Sequence, residues 1–392
     1  MVIKPKIRGF ICTNAHPKGC AENVQRQINY VQSQPKLEDA PQRVLIIGCS
    51  TGYGLATRLV TAFSGGAKTL GVCFEKEPSE RRTGTAGWYN TAAFHQAAER
   101  ASLYAHTING DAFSDELKNQ VIDKIKADLG QIDLVVYSLA SPKRKDPDSG
   151  EIFSSSLKPI GNAYTTKTYD TDKDKVHDIS LDPAPEEEIA HTVKVMGGED
   201  WERWIKMLDE AGVLAQDCKT TAYTYIGKKL TWPIYGHATI GKAKADLDRA
   251  AASLRDTYQH INLSAYVSGL KALVTQARSA IPVMPLYISL MDGGMTKDFT
   301  HEVCIEQIYR LFTEGLYADD PTLDDAHRLR VDGKETNDKT QAKIEELWYQ
   351  VTQENFHQLA DYKGYHQDFL NLFGFGFETI NYDEDVEPVV RW

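Results

Sequence analysis

The sequence predicts an α/β protein built on a doubly wound parallel sheet with helices on both faces. Three observations support this prediction. Apolar, β-branched runs alternate with helix-favouring stretches between residues 43 and 138. One run, IDLVVYS at 132–138, is apolar almost throughout, as in strands that are covered on both faces. The run at 43–47 leads directly into a glycine-rich loop. Strand, helix and strand in this order indicate right-handed βαβ units, and therefore a Rossmann-type sheet.

The first part of the chain supplies the alternating elements in order. Each predicted strand is a short run rich in β-branched residues, and each predicted helix has apolar residues at helical spacing. The predicted strands are 43–47, 67–74, 104–108 and 132–138, and the predicted helices are 21–34, 55–64, 92–102 and 114–129.

Residues 142–197 interrupt this alternation with prolines, serines and charged runs such as TTKTYDTDKDK. Interspersed aromatic and β-branched residues favour an ordered surface insertion over disorder. We expect this insertion to form small strands or a lid on the substrate side of the site. The sheet elements then resume with a helix near 200, a strand at 220–227, a helix beginning near Tyr235 or a few residues later, and a strand within INLSAYVSG. Residues 300–392 are predicted to form a C-terminal helical extension of a single large domain, 1–392.

Composition excludes several classes of function. The net charge of −11 opposes binding to a phosphate backbone, so we expect no nucleic-acid partner. No apolar run reaches the ~18 to 20 residues of a membrane helix, and MVIKPKIRGF is not followed by the apolar core of a signal peptide. The six cysteines are scattered without a disulfide pattern. We therefore expect a cytoplasmic protein.

One cluster resembles a metal site only superficially. Cys12, His16 and Cys20 recur every four residues in CTNAHPKGC. The stretch lacks a fourth nearby ligand and the CxxC spacing of zinc sites, and Pro17 and Gly19 make it loop-like. We expect these side chains to serve packing, with no metal.

The loop GCSTGYG predicts a nucleotide site. Gly48, Gly52 and Gly54 form GxxxGxG between a strand and a helix. Glycines there allow a tight turn and close approach of a pyrophosphate, while the helix N-terminus supplies N–H donors. The intervening Ser50 and Thr51 belong to the same predicted site.

Polar residues at the ends of the next strands predict the rest of a dinucleotide site. Glu75 ends the second strand, where a carboxylate accepts hydrogen bonds from the adenosine ribose and repels a 2′-phosphate. This position favours NADH, although Lys76, Arg81 and Arg82 lie nearby and leave NADPH as an alternative. Asp111 is a candidate partner for the adenine amino group. At the end of the fourth strand we expect contacts from Ser138, Leu139 and Ala140.

Tyrosines and lysines follow in AYTYIGKKLTWPIYGHATIGKAKADLD. A phenol beside a nicotinamide polarises a carbonyl, and an ammonium lowers the pKa of that phenol. Tyr225 and Tyr235 are ten residues apart, and Lys242 and Lys244 are both candidates for the ammonium. On a continuous helix Lys242 returns to the face of Tyr235, at ~100° per residue. This argument fails if Tyr235 precedes the helix, so geometry leaves both lysines open.

These blocks together closely resemble the bacterial trans-2-enoyl-CoA/acyl-carrier-protein reductases with a Y-x8-K motif, which belong to the short-chain dehydrogenase/reductase superfamily. The resemblance spans the whole chain and is carried by many blocks in the same order. They include IRGFIC, GCSTGYG, FEK, GTAGWYN, INGDAFSD, VVYSLASP, VMGGEDWE, TWPIY, KAKADLD, IPVMPLYIS and LFGFG.

The resemblance implies an oxidoreductase that uses NADH to reduce the trans-2 double bond of an enoyl-CoA or enoyl-acyl-carrier-protein. It implies that Tyr235 stabilises the enolate with support from Lys244, that Tyr225 positions substrate or relays a proton, and that the protein is a monomer. The final LFGFGF either lines an acyl channel or caps the core. The implied cofactor residues are Gly48, Ser50, Thr51, Gly52, Tyr53, Gly54, Phe74, Glu75, Asp111, Ala112, Ser138, Leu139, Ala140, Lys244, Leu273, Val274 and Thr275.

Two other functions share the glycine loop. A carbonyl reductase of the same superfamily would show Y-x3-K and a serine about thirteen residues before the tyrosine, but these positions are Thr239 and Ala222. A non-catalytic dinucleotide sensor would not need the tyrosine and lysine. Both comparisons favour the enoyl reductase.

Overall fold

The computed structural model describes residues 1–294 and 301–392. A short hairpin comes first, followed by a long helix and then by the alternating strands and helices of a sheet. These elements are β1 (Ile7–Arg8), β2 (Ile11–Cys12), α1 (Pro17–Ser33), β3 (Arg43–Ile47), α2 (Gly52–Phe63), β4 (Lys68–Cys73), α3 (Ala86–Arg100), β5 (Ala105–Asn109), α4 (Asp115–Asp128) and β6 (Ile132–Tyr137).

The segment 142–197 leaves the sheet and forms two antiparallel hairpins and a helix. The first hairpin pairs β7 with β8, and the second pairs β9 with β10. Their bounds are β7 (Lys143–Lys145), β8 (Ile152–Ser154), β9 (Tyr164–Asp170), β10 (Lys175–Leu181) and α5 (Glu186–Met196). Small strands, one of the two forms expected for this insertion, are present, and its role as a lid stays a prediction.

The remaining elements complete the sheet and pack a helical extension against it. They are α6 (Glu199–Glu210), β11 (Leu214–Thr224), α7 (Thr239–Thr257), the 3₁₀ turn Gln259–Ile261, β12 (Ser264–Gly269), α8 (Gln276–Ser279), α9 (Met284–Gly294), α10 (Cys304–Arg310), the π-helical turn Leu311–Leu316, β13 (Leu329–Arg330), α11 (Gly333–Thr336), α12 (Asp338–Gln350), α13 (Phe356–Leu359) and α14 (Tyr362–Asn371). Residue 300, the start of the predicted extension, lies outside the described residues.

The strand order of the main sheet is β13-β12-β11-β6-β3-β4-β5, and every pairing in it is parallel. The chain moves outward from β3 in both directions, so the order reverses between β3 and β6. In open parallel sheets ligands bind beyond the carboxyl ends of the strands at this reversal. The predicted Rossmann-type fold is confirmed, and it brings the glycine loop and the end of β6 to the same crevice.

Several predicted boundaries differ from the structure. Helix α3 begins at Ala86, six residues before the predicted start, although this turn includes Gly87 and Asn90, which are weak helix formers. Every residue from 86 to 94 is buried, so tertiary packing stabilises a turn that intrinsic propensity does not favour. Strand β11 begins at Leu214 and ends at Thr224, earlier at both ends than the predicted 220–227.

Aromatic residues near the C-terminus pack against α1. The backbone N–H of His16 donates to the carbonyl of Phe373 at 2.9 Å, and a Cβ added to Gly19 would lie 1.6 Å from the carbonyl oxygen of Gly374. Phe373 and Phe375 belong to the buried core. Of the two roles considered for LFGFGF, these contacts favour capping the core.

Five of the six cysteines are buried, and Cys304 is half-buried. Burial raises the pKa of the Cys304 thiol to about 12. Among residues 1–294 and 301–392, no helix has the length and hydropathy to cross a membrane.

Candidate active site

The glycine loop packs tightly on the end of β6. Gly48 has φ +90°, and a Cβ on it would lie 2.1 Å from the carbonyl oxygen of Ser138. A Cβ on Gly54 would lie 1.7 Å from the carbonyl oxygen of Gly48. These two positions therefore require glycine for steric reasons, which keeps the backbone N–H groups at the start of α2 open to a ligand.

Glu75 is fixed at the end of β4 by two hydroxyl groups. The Ser50 hydroxyl donates to Oε1 at 2.5 Å, and the Thr85 hydroxyl donates to Oε2. Burial raises the pKa of Glu75, and these two hydrogen bonds oppose that shift. Each carboxylate oxygen has two acceptor positions, so Glu75 keeps acceptor capacity for a ribose. The neighbouring Phe74 is 78% exposed.

The predicted adenine side lies at the ends of β5 and β6. The backbone N–H of Phe113 donates to Oδ1 of Asp111 at 2.9 Å, which orients that carboxylate. Ala112 is buried beside it. Ser138 continues β6 by donating its N–H to the carbonyl of Ile47 at 2.8 Å. Of the two residues that follow it, Leu139 is half-buried and Ala140 is exposed.

A second loop faces the glycine loop. The segment 270–275 joins β12 to α8, and the side chain of Thr275 caps α8 by accepting from the N–H of Arg278 at 3.3 Å. Leu273 and Val274 line a cavity of about 280 Å³ that Thr51 and Gly52 also line. Two predicted cofactor residues from each loop therefore line the same cavity.

Arg278 links the two loops, and the sequence analysis missed it. Its guanidinium donates to the Tyr53 hydroxyl at 3.0 Å and also to the carbonyl of Lys271. The Tyr53 hydroxyl donates to that same carbonyl at 2.6 Å. The guanidinium carbon also lies 5.0 Å from the ring centroid of Tyr225. The only available sequence signal was its position three residues after Thr275.

The predicted catalytic side chains converge beyond the end of β11. Tyr225 directly follows that strand, and Tyr235 lies in the turns before α7, with its N–H donating to the carbonyl of Thr231 at 2.9 Å. The two phenol rings meet edge to face, with centroids 4.9 Å apart and an interplanar angle of 84°. Tyr235 and Lys244 line one cavity of about 260 Å³, whereas Lys242 is exposed.

This geometry removes the argument that favoured Lys242. Helix α7 begins at Thr239, so Tyr235 is not part of the continuous helix that the argument assumed. Lys244 instead points into the cavity from the second turn of α7. The structure thus supports the Y-x8-K assignment, which remains a prediction until activity is measured.

The electrostatics of the cavity suit an acid pair. Burial and, to a smaller extent, the charge of Arg278 lower the pKa of Lys244 to about 8, although Asp248 opposes the shift. Burial raises the pKa of Tyr235 to about 12, and Arg278 opposes that shift. Near neutral pH, Tyr235 is therefore a neutral phenol that is able to donate a hydrogen bond, and Lys244 is mostly protonated.

Glu335 is a second residue that the sequence analysis missed. The Tyr225 hydroxyl donates to its Oε1 at 2.7 Å. Burial first and then the negative charge of Glu335 raise the pKa of Tyr225 far above its ordinary value. Tyr225 is therefore a neutral phenol whose proton is directed to Glu335.

Three family models match consecutive parts of the chain. Residues 82–317 match the trans-2-enoyl-CoA reductase catalytic region, and residues 2–80 match the NAD(P)H binding domain of trans-2-enoyl-CoA reductase. Residues 323–386 match a model described as an enoyl reductase FAD binding domain. The first two models contain the predicted catalytic residues and the glycine loop.

The segment 323–386 does not fit a flavin site. Its described residues supply the edge strand β13 and the short helices α11 to α14, with no strand, glycine loop and helix that could hold a pyrophosphate. Its large side chains fill the core; Trp348, Phe356, Tyr365 and Phe369 are each at most 6% exposed. We therefore assign no flavin to this segment.

Named relatives and a solved structure agree with these models over the full length. The chain is 71% identical to the enoyl-[acyl-carrier-protein] reductase [NADH] of Idiomarina loihiensis and 67% identical to that of Pseudoalteromonas atlantica, covering all of both chains. The trans-2-enoyl-CoA reductase of Treponema denticola in complex with NAD is 48% identical, with complete coverage of both chains and a TM-score of 0.95. The chain belongs to the trans-2-enoyl-CoA reductase family.

Proposed function

We propose that Tyr235 and Lys244 catalyse the NADH-dependent reduction of the trans-2 double bond of an enoyl thioester. Bound NADH supplies the hydride that adds to the β-carbon of the substrate. Negative charge then moves to the thioester oxygen, where the Tyr235 hydroxyl donates a hydrogen bond and stabilises the enolate. The observation that carries this proposal is that Tyr235 and Lys244 line one cavity while Lys242 is exposed.

The protonation states of the pair support these roles. A phenol with a pKa of about 12 keeps its proton at neutral pH and can donate it to a developing oxyanion. The ammonium of Lys244 stabilises negative charge in the cavity and is a donor for ribose hydroxyls. Protonation of the α-carbon then gives the saturated acyl thioester.

The cofactor residues fit NADH. The N-terminus of α2 faces the crevice with the glycines that a pyrophosphate requires, and Glu75 presents an acceptor to the adenosine ribose. The remaining contacts to the cofactor come from Phe74, Asp111, Ala112, Ser138, Leu139, Ala140, Leu273, Val274 and Thr275.

The substrate side is formed in part by the 142–197 insertion, which acts as a lid. This segment is attached to the first residue of α7, because the N–H of Thr239 donates to the carbonyl of Lys158 at 3.0 Å and its hydroxyl donates to the carbonyl of Ser156 at 2.5 Å. Thr239 is four residues after Tyr235, so these hydrogen bonds connect the insertion to the catalytic turn. The substrate is an enoyl-CoA or enoyl-acyl-carrier-protein, and the enzyme acts as a cytoplasmic monomer.

The assay measures the oxidation of NADH in the presence of crotonyl-CoA from the decrease in NADH absorbance, at saturating NADH. Tyr235→Phe removes the phenolic proton and lowers kcat by about 10²- to 10⁴-fold. Lys244→Ala lowers kcat by at least about tenfold, because it removes one stabilising charge from the cavity. NADH titration of Tyr235→Phe by fluorescence separates loss of chemistry from loss of cofactor binding.

Lys242→Ala is the matched control, since it removes a lysine two residues earlier on the exposed face of α7. It keeps wild-type kcat within about twofold, as surface substitutions usually do. An inactive Lys242→Ala beside an active Lys244→Ala would refute the assignment of the lysine. If the wild type bound NADH but did not oxidise it in the presence of any enoyl thioester, the proposed function would be refuted.

A further inference from the structure

Glu335 is a buried carboxylate that receives three hydrogen bonds from distant parts of the chain. Its Oε1 accepts from the Tyr225 hydroxyl at 2.7 Å and from the Tyr287 hydroxyl at 2.9 Å. Its Oε2 accepts from the backbone N–H of Ala272 at 2.6 Å. The side chain is 0% exposed. Both oxygens of this side chain therefore act as acceptors in one buried set of hydrogen bonds.

Two of these donors belong to opposite sides of the predicted site. Tyr225 packs edge to face on Tyr235, so the hydrogen bond to Glu335 fixes a ring that contacts the catalytic phenol. Ala272 lies in the loop 270–275, directly before Leu273, Val274 and Thr275, which are predicted to contact the cofactor. One carboxylate therefore holds the substrate-side ring and the cofactor-side loop in fixed relative positions.

The same geometry separates the roles of the two tyrosines. A phenol has one proton, and the Tyr225 hydroxyl donates it to Glu335. Tyr225 therefore contributes the position of its ring, and Tyr235 is left as the proton donor.

We propose that Glu335 is a positioning residue of the reductase: it acts through Tyr225 on the orientation of Tyr235, and through Ala272 on the cofactor loop. The proposal rests on the function proposed above. It also gives the segment 323–386 a role in the reaction, which is to supply this carboxylate from α11.

The test is a double-mutant cycle of Glu335→Gln and Tyr225→Phe, with kcat for crotonyl-CoA and Kd for NADH measured on all four proteins. Glutamine replaces one of the two oxygens by an NH₂ group, and exchange between its two orientations weakens both the Tyr225 and the Ala272 hydrogen bonds. We expect Glu335→Gln to lower kcat by about tenfold in the wild-type background and by less than about threefold in the Tyr225→Phe background. We expect it to raise Kd for NADH by the same factor in both backgrounds, because the Ala272 contact does not involve Tyr225.

Asp332→Asn is the matched control, because it replaces another buried carboxylate, three residues before Glu335 at the start of α11. Asp332 is 1% exposed and accepts from the guanidinium of Arg330 at 2.9 and 2.8 Å, but the structure gives it no contact with Tyr225 or Ala272 among the described residues. Where the protein is folded, this variant keeps kcat and Kd for NADH within about twofold of wild type.

Tyr225→Phe alone tests the proposal if Glu335→Gln does not fold. It keeps the ring and removes only the hydroxyl, so we expect kcat to fall by about three- to tenfold with the same pH dependence as wild type. A loss of about 10³-fold would identify Tyr225 as the proton donor and overturn the proposal.

The proposal would also be overturned if Glu335→Gln lowered kcat by the same factor with and without the Tyr225 hydroxyl. It would likewise be overturned if Asp332→Asn changed kcat and Kd for NADH as much as Glu335→Gln does. These outcomes all require an active wild type. Absence of turnover in the wild type would instead refute the proposed function, so the two failures are distinguishable.

Discussion

The Ser50 hydroxyl donates a 2.5 Å hydrogen bond to Oε1 of Glu75, which connects the glycine loop to the end of β4. Thr85 donates to the other oxygen. A Cβ on Gly87 would lie 2.0 Å from the carboxylate, so this glycine makes room for it at the start of α3. The negative charge is therefore fixed beside the expected position of the adenosine ribose.

We expect this charge to determine the preference for NADH. A carboxylate held at this position repels a 2′-phosphate, so Glu75→Ala should lower the ratio of kcat/KM for NADH to that for NADPH by at least about tenfold, the equivalent of about 1.4 kcal/mol. The measurement is steady-state turnover of crotonyl-CoA with each cofactor.

Glu77→Ala is the control for this prediction, because Glu77 is an exposed carboxylate two residues later on the same segment. It should leave the cofactor ratio unchanged. If the wild type preferred NADPH, or if Glu77→Ala changed the ratio as much as Glu75→Ala, the role assigned to Glu75 would be wrong.

The pKa of Lys244 predicts the alkaline limit of activity. Burial and Arg278 lower this pKa to about 8, so the side chain is charged below that pH and loses its charge as the pH rises through it. We expect kcat/KM to decrease above about pH 8, since kcat/KM reports the ionisation of the free enzyme. Tyr235, with a pKa of about 12, does not titrate in this range.

Replacing the amine tests which group causes this decrease. Lys244→Arg keeps a positive charge, because arginine does not deprotonate below about pH 12. Its kcat/KM should be lower but should stay level to about pH 10, whereas Lys242→Arg should keep the wild-type decrease near pH 8. An unchanged alkaline limit in Lys244→Arg would assign the titration to another group.

The close packing of Gly48 predicts a large effect of a single methyl group. In Gly48→Ala the new Cβ meets the carbonyl of Ser138 and the residue retains φ +90°. In Gly66→Ala, φ is +68° but the space around the Cβ is open. In both variants an alanine must adopt a left-handed backbone conformation, which costs about 1–2 kcal/mol of stability. Only in Gly48→Ala does the new Cβ also clash with a neighbouring group, the carbonyl of Ser138.

We therefore expect urea unfolding to show a loss of about 1 kcal/mol for Gly66→Ala and of more than about 3 kcal/mol for Gly48→Ala. NADH titration should show weaker binding only for Gly48→Ala. Equal losses of stability and equal Kd values in the two variants would show that the contact with Ser138 is unimportant.

The sheet was predictable because its strands are apolar runs of limited length that end at clear signals. Strand β3 matches its predicted bounds, and β6 ends one residue earlier than predicted. The start of α3 was not predictable, because its first turn is stabilised by burial and by space for Glu75, which local propensity does not encode.

Within the site, spacing alone could not choose between Lys242 and Lys244. That choice depends on where α7 begins, and Trp232, Pro233 and Gly236 make this boundary ambiguous. Contacts such as those of Glu335 with Tyr225 and of Arg278 with Tyr53 join residues 110 and 225 positions apart. They arise from tertiary packing between distant segments and leave no local signal.

Because the cysteine thiols are buried, their chemical modification reports local opening of the folded structure. A thiol must be exposed and ionised to react, and five of the six are enclosed in the packed interior. Modification by a thiol reagent should therefore proceed at the rate at which the structure opens around each cysteine. Mass spectrometry of partly labelled protein would then give the rate of modification at each cysteine. It would also show whether bound NADH slows the modification of Cys49 more than that of Cys218.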